Sequence, residues 1–100
     1  MAHYEKDDLG VSFDLSDTFT VREQLAFRSK VYEQVGQPSF VRYWAAAQTV
    51  MTNWQCEAIP EPGAFDLDGS TDGRAADIIT WTANTVAAHM NGLETPGKNS

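Results

Sequence analysis

Cysteine is almost missing from this 100-residue chain. Cys56 is the only one, so no disulfide can close within the sequence, and a reducing compartment suits it. Histidine is scarce too. His3 and His89 lie at opposite ends with no carboxylate or cysteine pattern that reads as a zinc set or a catalytic triad. Glycine never clusters into a phosphate-binding loop. Basic residues are half as many as acidic ones, seven against fourteen, and the net charge of −7 repels phosphate backbones and anionic headgroups. Nucleic acid and membrane surfaces are therefore not expected partners. No run of about eighteen apolar residues occurs, and the opening Met-Ala-His-Tyr-Glu-Lys-Asp-Asp has no basic stretch leading into an apolar one. The expected location is the cytoplasm.

What the chain does have is apolar bulk, 42% of residues, with Trp44, Trp54 and Trp81 among its aromatics. That is enough for one folded domain and too little for two. The acids sit mainly at 1–18 and 57–77, whereas 21–56 carries Arg22, Arg28, Lys30 and Arg42 against Glu23 and Glu33.

Periodicity predicts a mainly α protein: a three-helix domain with helices at about 20–35, 39–57 and 72–91. Residues 1–8 read as a disordered tail, 9–92 as one helical domain and 93–100 as a flexible end. Leu9, Val11, Phe13 and Leu15 alternate with smaller or polar residues, which predicts an extended N-terminal arm over 9–15. Its only visible internal partner is the run Ala64-Phe65-Asp66-Leu67; otherwise it awaits a neighbour's sheet edge. Thr20-Val-Arg-Glu23 is a capping box, and Gly36 supplies a left-handed stop for the first helix. Pro38-Ser39 opens the second. Pro60, Pro62 and Gly63 begin an acidic loop over 58–71. Asp72 is placed to cap the third helix, with Gly92 beyond its end.

The predicted core is Leu25, Val31, Tyr32, Phe40, Trp44, Ala47, Met51, Trp54, Ile79, Val86 and Met90, which fall on apolar stripes at helical spacing. The third helix carries a second stripe, Ile78, Trp81, Thr85 and Ala88. With Leu9, Val11, Phe13 and Leu15 it forms the candidate partner-binding set. Trp81 reads equally as an interface anchor or as second-layer core.

Catalytic chemistry finds little support. Asp68-Gly-Ser70-Thr-Asp72-Gly73 opens like an EF-hand loop, but Ile79 stands where the bidentate glutamate belongs. Asp7-Asp8 and Asp66-x-Asp68 read as solvated loop acids, and Cys56 has no activating neighbour. The expectation is no catalytic residues, no metal and no cofactor.

Several segments resemble the tail assembly chaperones of long-tailed, siphovirus-type actinobacterial phages. They are Phe19-Thr-Val-Arg-Glu-Gln-Leu25, Arg42-Tyr-Trp-Ala-Ala46, Trp54-Gln-Cys-Glu57, Ala75-Ala-Asp-Ile-Ile-Thr-Trp81, Val86-Ala-Ala-His-Met90 and Pro96-Gly-Lys-Asn99. The resemblance spans about residues 13–99. It implies a non-catalytic protein of the host cytoplasm that binds the phage tape measure protein, keeps it soluble and helps tail tube protein assemble around it. It further implies a longer product made by ribosomal frameshifting, and Pro96-Gly97-Lys98 permits the codons CCG-GGA-AAA with the slippery heptamer G-GGA-AAA. Self-association through the same apolar faces is compatible with this role. The competing reading is a small structural virion protein, a neck, tail or capsid component that binds neighbours through its N-terminal arm. An acidic DNA mimic ranks lower, because the acids cluster in loops.

Overall fold

Two five-residue alternating runs flank Asp7-Asp8-Leu9-Gly10, and in the computed structural model this pattern closes as a β-hairpin. The structure describes residues 1–69 and 72–94. Strand β1 (Ala2–Lys6) pairs antiparallel with β2 (Val11–Leu15), in register from Ala2↔Leu15 to Lys6↔Val11. A 3-10 turn over Asp7–Leu9 joins them. Gly10 ends it at φ 66°, donating its amide to the Asp7 carbonyl, and a Cβ there would come 3.0 Å from the Arg74 guanidinium. Only glycine meets both demands without strain. Residues 1–8 are thus not a tail, and 9–15 is not a free arm.

Helix α1 (Val21–Glu33) starts at the expected capping box. The Thr20 hydroxyl accepts the Glu23 amide and the Glu23 carboxylate accepts the Thr20 amide. Gly36 then takes φ 98° just after the helix. Helix α2 (Ser39–Ala47) has Pro38 at its N-cap, where the carbonyl accepts the Val41 and Arg42 amides. It stops ten residues short of the expected 57, at Ala47. The Thr49 hydroxyl donates to the Ala46 carbonyl, the Val50 and Met51 amides both close on Ala47, and the chain turns into strand β3 (Thr52–Cys56).

That strand is the main correction to the mainly α expectation. The architecture of the described residues is α+β, three helices and a three-stranded antiparallel sheet of order β1-β2-β3. The stripe of Val50, Met51 and Trp54 fits helical spacing, but 52–56 lies alongside β2 and exchanges helix bonds for ladder bonds. Ser12 faces Gln55 and Asp14 faces Thr52, so Asn53 and Trp54 together oppose Phe13 as a β-bulge. Asn53 sits in the left-handed region at φ 54°, which asparagine tolerates better than most residues, and its amide donates to the Asp14 carboxylate at 2.7 Å. The bulge turns Trp54 inward. Residues 64–67, the anticipated strand partner, form no strand; Pro62–Ala64 is a 3-10 turn.

Helix α3 (Gly73–Glu94) opens where Asp72 accepts the Arg74 amide at 3.0 Å. The expected C-terminal tail begins within this helix, and 95–100, including Pro96-Gly97-Lys98, lies outside the described residues. The first apolar stripe of α3 is covered, and the second is covered at its Ile78 and Trp81 end. Ile78, Ile79, Ala83, Val86 and Met90 are all buried, and Trp81 lies edge-on to Phe13 of β2 at 5.5 Å. Phe13, fully buried, also stacks on Trp54 at 6.1 Å and lies 5.7 Å from Tyr4. Trp44 is buried against Trp54, whose indole N–H donates to the Ile59 carbonyl at 2.7 Å. The second stripe of α3 therefore meets the sheet of its own chain.

Phe13→Ala is expected to lower stability by about 3–5 kcal/mol, and half-buried Trp81→Ala by roughly 2–4 kcal/mol. The buried Thr82 hydroxyl has no partner among the described residues. Thr82→Val should accordingly be neutral or stabilising. Urea unfolding of the three variants, followed by tryptophan fluorescence, checks this order.

Candidate protein-docking surface

Burial redistributes the residues singled out in the sequence. Val11, Phe13, Leu15 and Ile78 are buried, so four of the eight candidate binding residues are internal, and Leu9 is partly buried against the core. Trp81 and Thr85 are half-buried and Ala88 is exposed. They border a shallow depression of about 700 Å³ with Tyr4 and His89. His89 ties elements together there, its Nε2–H donating to the Ser16 carbonyl at 2.8 Å while Nδ1 accepts the Tyr4 hydroxyl at 2.8 Å. The carbonyl can only accept, which sets this tautomer for the neutral ring.

Among the expected core residues, Val31, Trp44, Ala47, Ile79, Val86 and Met90 are buried, and Met51 and Trp54 pack partly buried against the same clusters. Leu25, Tyr32 and Phe40 are not core; they are 52%, 71% and 42% exposed. The reason lies in the sheet. A bundle of three long helices would cover α1 from two sides, but α3 is occupied by α2 and β2, so α1 packs chiefly on α2 through Phe27 and Val31.

The outcome is an apolar seam on α1. Val21, Leu25, Tyr32 and, just past the helix, Val35 are exposed, with exposed Arg28 among them. Positions 21, 25, 28, 32 and 35 alternate steps of four and three, the spacing that keeps one stripe facing a partner helix. Beside it, Val21, Arg22, Leu25, Ala26 and Ser29 line an open depression of about 600 Å³. Capping-box logic located this helix correctly. Its exposed face could have been suspected from the seam spacing, since two distinct apolar stripes on one helix need two neighbours.

A second apolar groove, about 550 Å³, lies at the head of α3, where Phe40, Phe65 and Leu67 approach Ala75, Ala76 and Ile79. The acids nearby serve local structure. Asp66 accepts the Asp68 amide at 3.0 Å, and Asp72 caps α3, so the EF-hand-like stretch acts as turn and cap; its 70 and 71 lie outside the described residues.

Strand pairing also assembles an ionic cluster that linear spacing hid. His3 stands opposite Asp14 on the solvent face of the sheet, and its Nδ1 donates to Asp14 at 2.6 Å while Nε2 reaches Glu5 at 3.3 Å. The hydrogen bond to Asp14, then that to Glu5, raises the His3 pKa above its ordinary value of 6.5. The Asn53 amide, then His3, lowers the Asp14 carboxyl below 3.8. With both ring nitrogens held by carboxylates, His3 offers no free lone pair for base catalysis. Among the described residues no three His, Cys, Asp or Glu side chains gather as a metal set, and no helix is long and apolar enough to cross a membrane.

No family model matches the chain, and neither a curated protein nor a solved structure matches it.

Two outcomes are expected. The His3–Asp14 pair contributes stability that is complete below pH 6.5 and is lost as pH rises through the raised folded value of His3. The Asp14 side of the pair is complete above pH 3.8 and is lost as pH falls through its lowered value. The melting temperature of the wild type should therefore exceed that of His3→Gln by more at about pH 5.5 than at about pH 8, as thermal scans at the two pH values will test. Separately, Leu25→Ser and Tyr32→Ser should each shift the unfolding free energy by no more than about 0.5–1 kcal/mol, since these side chains cover little in the chain itself.

Proposed function

We propose that this chain is a non-catalytic protein-binding chaperone that covers apolar helical segments of a client on the α1 seam. The single observation carrying this reading is the exposed series Val21, Leu25, Tyr32 and Val35, which a small soluble domain would be expected to bury. Together with the segments from Phe19-Thr-Val to Pro96-Gly-Lys-Asn99 that resemble tail assembly chaperones, it supports a specific assignment. The client is the tape measure protein of a long-tailed phage, held soluble in the host cytoplasm while tail tube protein assembles around it. A longer product that begins at the same start and shifts frame near residue 97 would share the α1 surface.

The physical logic is that a client helix with an exposed stripe aggregates unless a matching stripe masks it. The seam supplies the mask, and the net charge of −7 keeps the complex dispersed. Strand donation by residues 9–15 to a virion neighbour is not favoured, because β2 is the central strand and both its edges are already paired.

Co-expression with a tape measure protein tests the proposal. The soluble fraction of the client should rise several-fold with the wild-type chain and fall back with a Leu25→Glu, Tyr32→Glu double variant that keeps its own fold. A client equally insoluble with and without the chain would refute the chaperone role.

A further inference from the structure

We infer that the outer edge of β1 accepts an extended segment of a different chain as a fourth strand, one with apolar side chains toward α3 and a basic residue beside Asp7. The site is separate from the α1 seam, and its occupant is a strand, not a helix.

The sheet has two outer strands, and they differ. Strand β3 is interrupted by the bulge at Asn53, a device that spoils an edge for further pairing. Strand β1 runs in unbroken register over all five of its residues, and its outer N–H and C=O groups meet no backbone partner among the described residues. Such a row calls for an extended backbone, which offers the same alternation of donors and acceptors.

The depression of about 700 Å³ lies along this edge, for His3, Tyr4 and Glu5 all line it and no residue of β2 does. Successive side chains of a strand point to opposite faces, so three in a row border one hollow only where the outer backbone forms its rim. Across from them stand Trp81, Thr85 and Ala88, at steps of four and three on one side of α3. A strand added about 4.8 Å beyond β1 passes over the hollow and drops every second side chain into it. Half-buried Trp81 and exposed Ala88 make the floor that receives them apolar.

A second copy of β1 does not meet these terms. On its core face it would bring Ala2, Tyr4 and Lys6, and none of them can fill the hollow. Ala2 is too short, the Tyr4 ring lies 5.7 Å from its own Phe13 with its hydroxyl on His89, and Lys6 is 3.3 Å from its own Asp8. The occupant is therefore a different chain with larger apolar side chains at alternate positions.

Charge sets the end of that strand. In the turn after β1, Asp8 has Lys6, whereas Asp7 lies against Glu5, which His3 also reaches; the hydrogen bond between the two carboxyls raises Asp7 above its ordinary 3.8. At neutral pH two carboxylates stand together there. A lysine or arginine on the added strand next to the turn relieves their repulsion.

Blocked peptides of about seven residues, roughly 23 Å when extended, are long enough to span β1 and test the inference. Each alternates Thr with Val around a central Phe and carries Lys at one end. Amide NMR of the full chain should show shifts at Ala2–Lys6 and at the Trp81 indole, with Leu25 and Tyr32 unmoved. N-methylating every second peptide amide gives two series, one blocked on the edge that faces β1 and one on the edge that faces solvent. One series should bind about tenfold or more weakly than the other. Ala88→Arg should weaken binding with the melting temperature unchanged. Replacing the peptide lysine with Glu should weaken it several-fold, and Asp7→Asn should narrow that gap; equal binding of the Lys and Glu peptides would overturn the charge selection. Equal binding of the two N-methylated series, shifts confined to α1, or no binding by any peptide would overturn the strand site, whatever becomes of a client on the seam. Sedimentation of the free chain should show a monomer, and a dimer that the peptide disperses would assign the edge to a second copy instead.

Discussion

Phe13, in the middle of the central strand, has its ring within 5.5–6.1 Å of Trp81, Trp54 and Tyr4. Those three side chains belong to α3, β3 and β1, so the sheet and the long helix are joined through one buried residue. Much else depends on this arrangement. Because Phe13 faces inward, Ser12 and Asp14 face outward, and a sheet with one wet face follows. Because Trp81 is drawn to Phe13, α3 is turned so that one stripe lies on the sheet and the other on α2. The bulge at Asn53 serves the same contact by bringing Trp54 to the inner side.

What the core consumes determines what the surface retains. With the first stripe of α3 and the Ile78–Trp81 end of the second used internally, α1 has α2 as its main neighbour and keeps an apolar seam in solvent. That seam lies in the least acidic part of the chain. The solvent face of the sheet has the opposite character. Its His3, Asp14, Glu5 and Asn53 side chains satisfy one another, which makes it a stabilising ionic layer with little left to offer a ligand.

The legible parts of the fold were those in which a few neighbouring residues suffice. The Thr20–Glu23 capping box, the Gly36 stop and the Asp72 cap each involve groups within three residues of one another, and all three are found where the sequence places them. The strand at 11–15 was readable from its alternation, and 2–6 had a turn signal in Asp-Asp-Leu-Gly that its charged composition obscured. The 52–56 strand was not readable, because Val50, Met51 and Trp54 satisfy helical spacing equally well. Only the partner strand, some forty residues earlier, decides between the two periods.

For the candidate docking surface the division is similar. Sequence alone determined an acidic, aromatic-rich single domain, where its helices begin, and which residues of α1 are apolar. It could not say whether Leu25 and Tyr32 or Trp81 and Phe13 would end up inside, since each set forms a respectable stripe. The tertiary structure decided that. Helix α3 packs on α2 and on the sheet, and no element of the described chain covers the seam on α1.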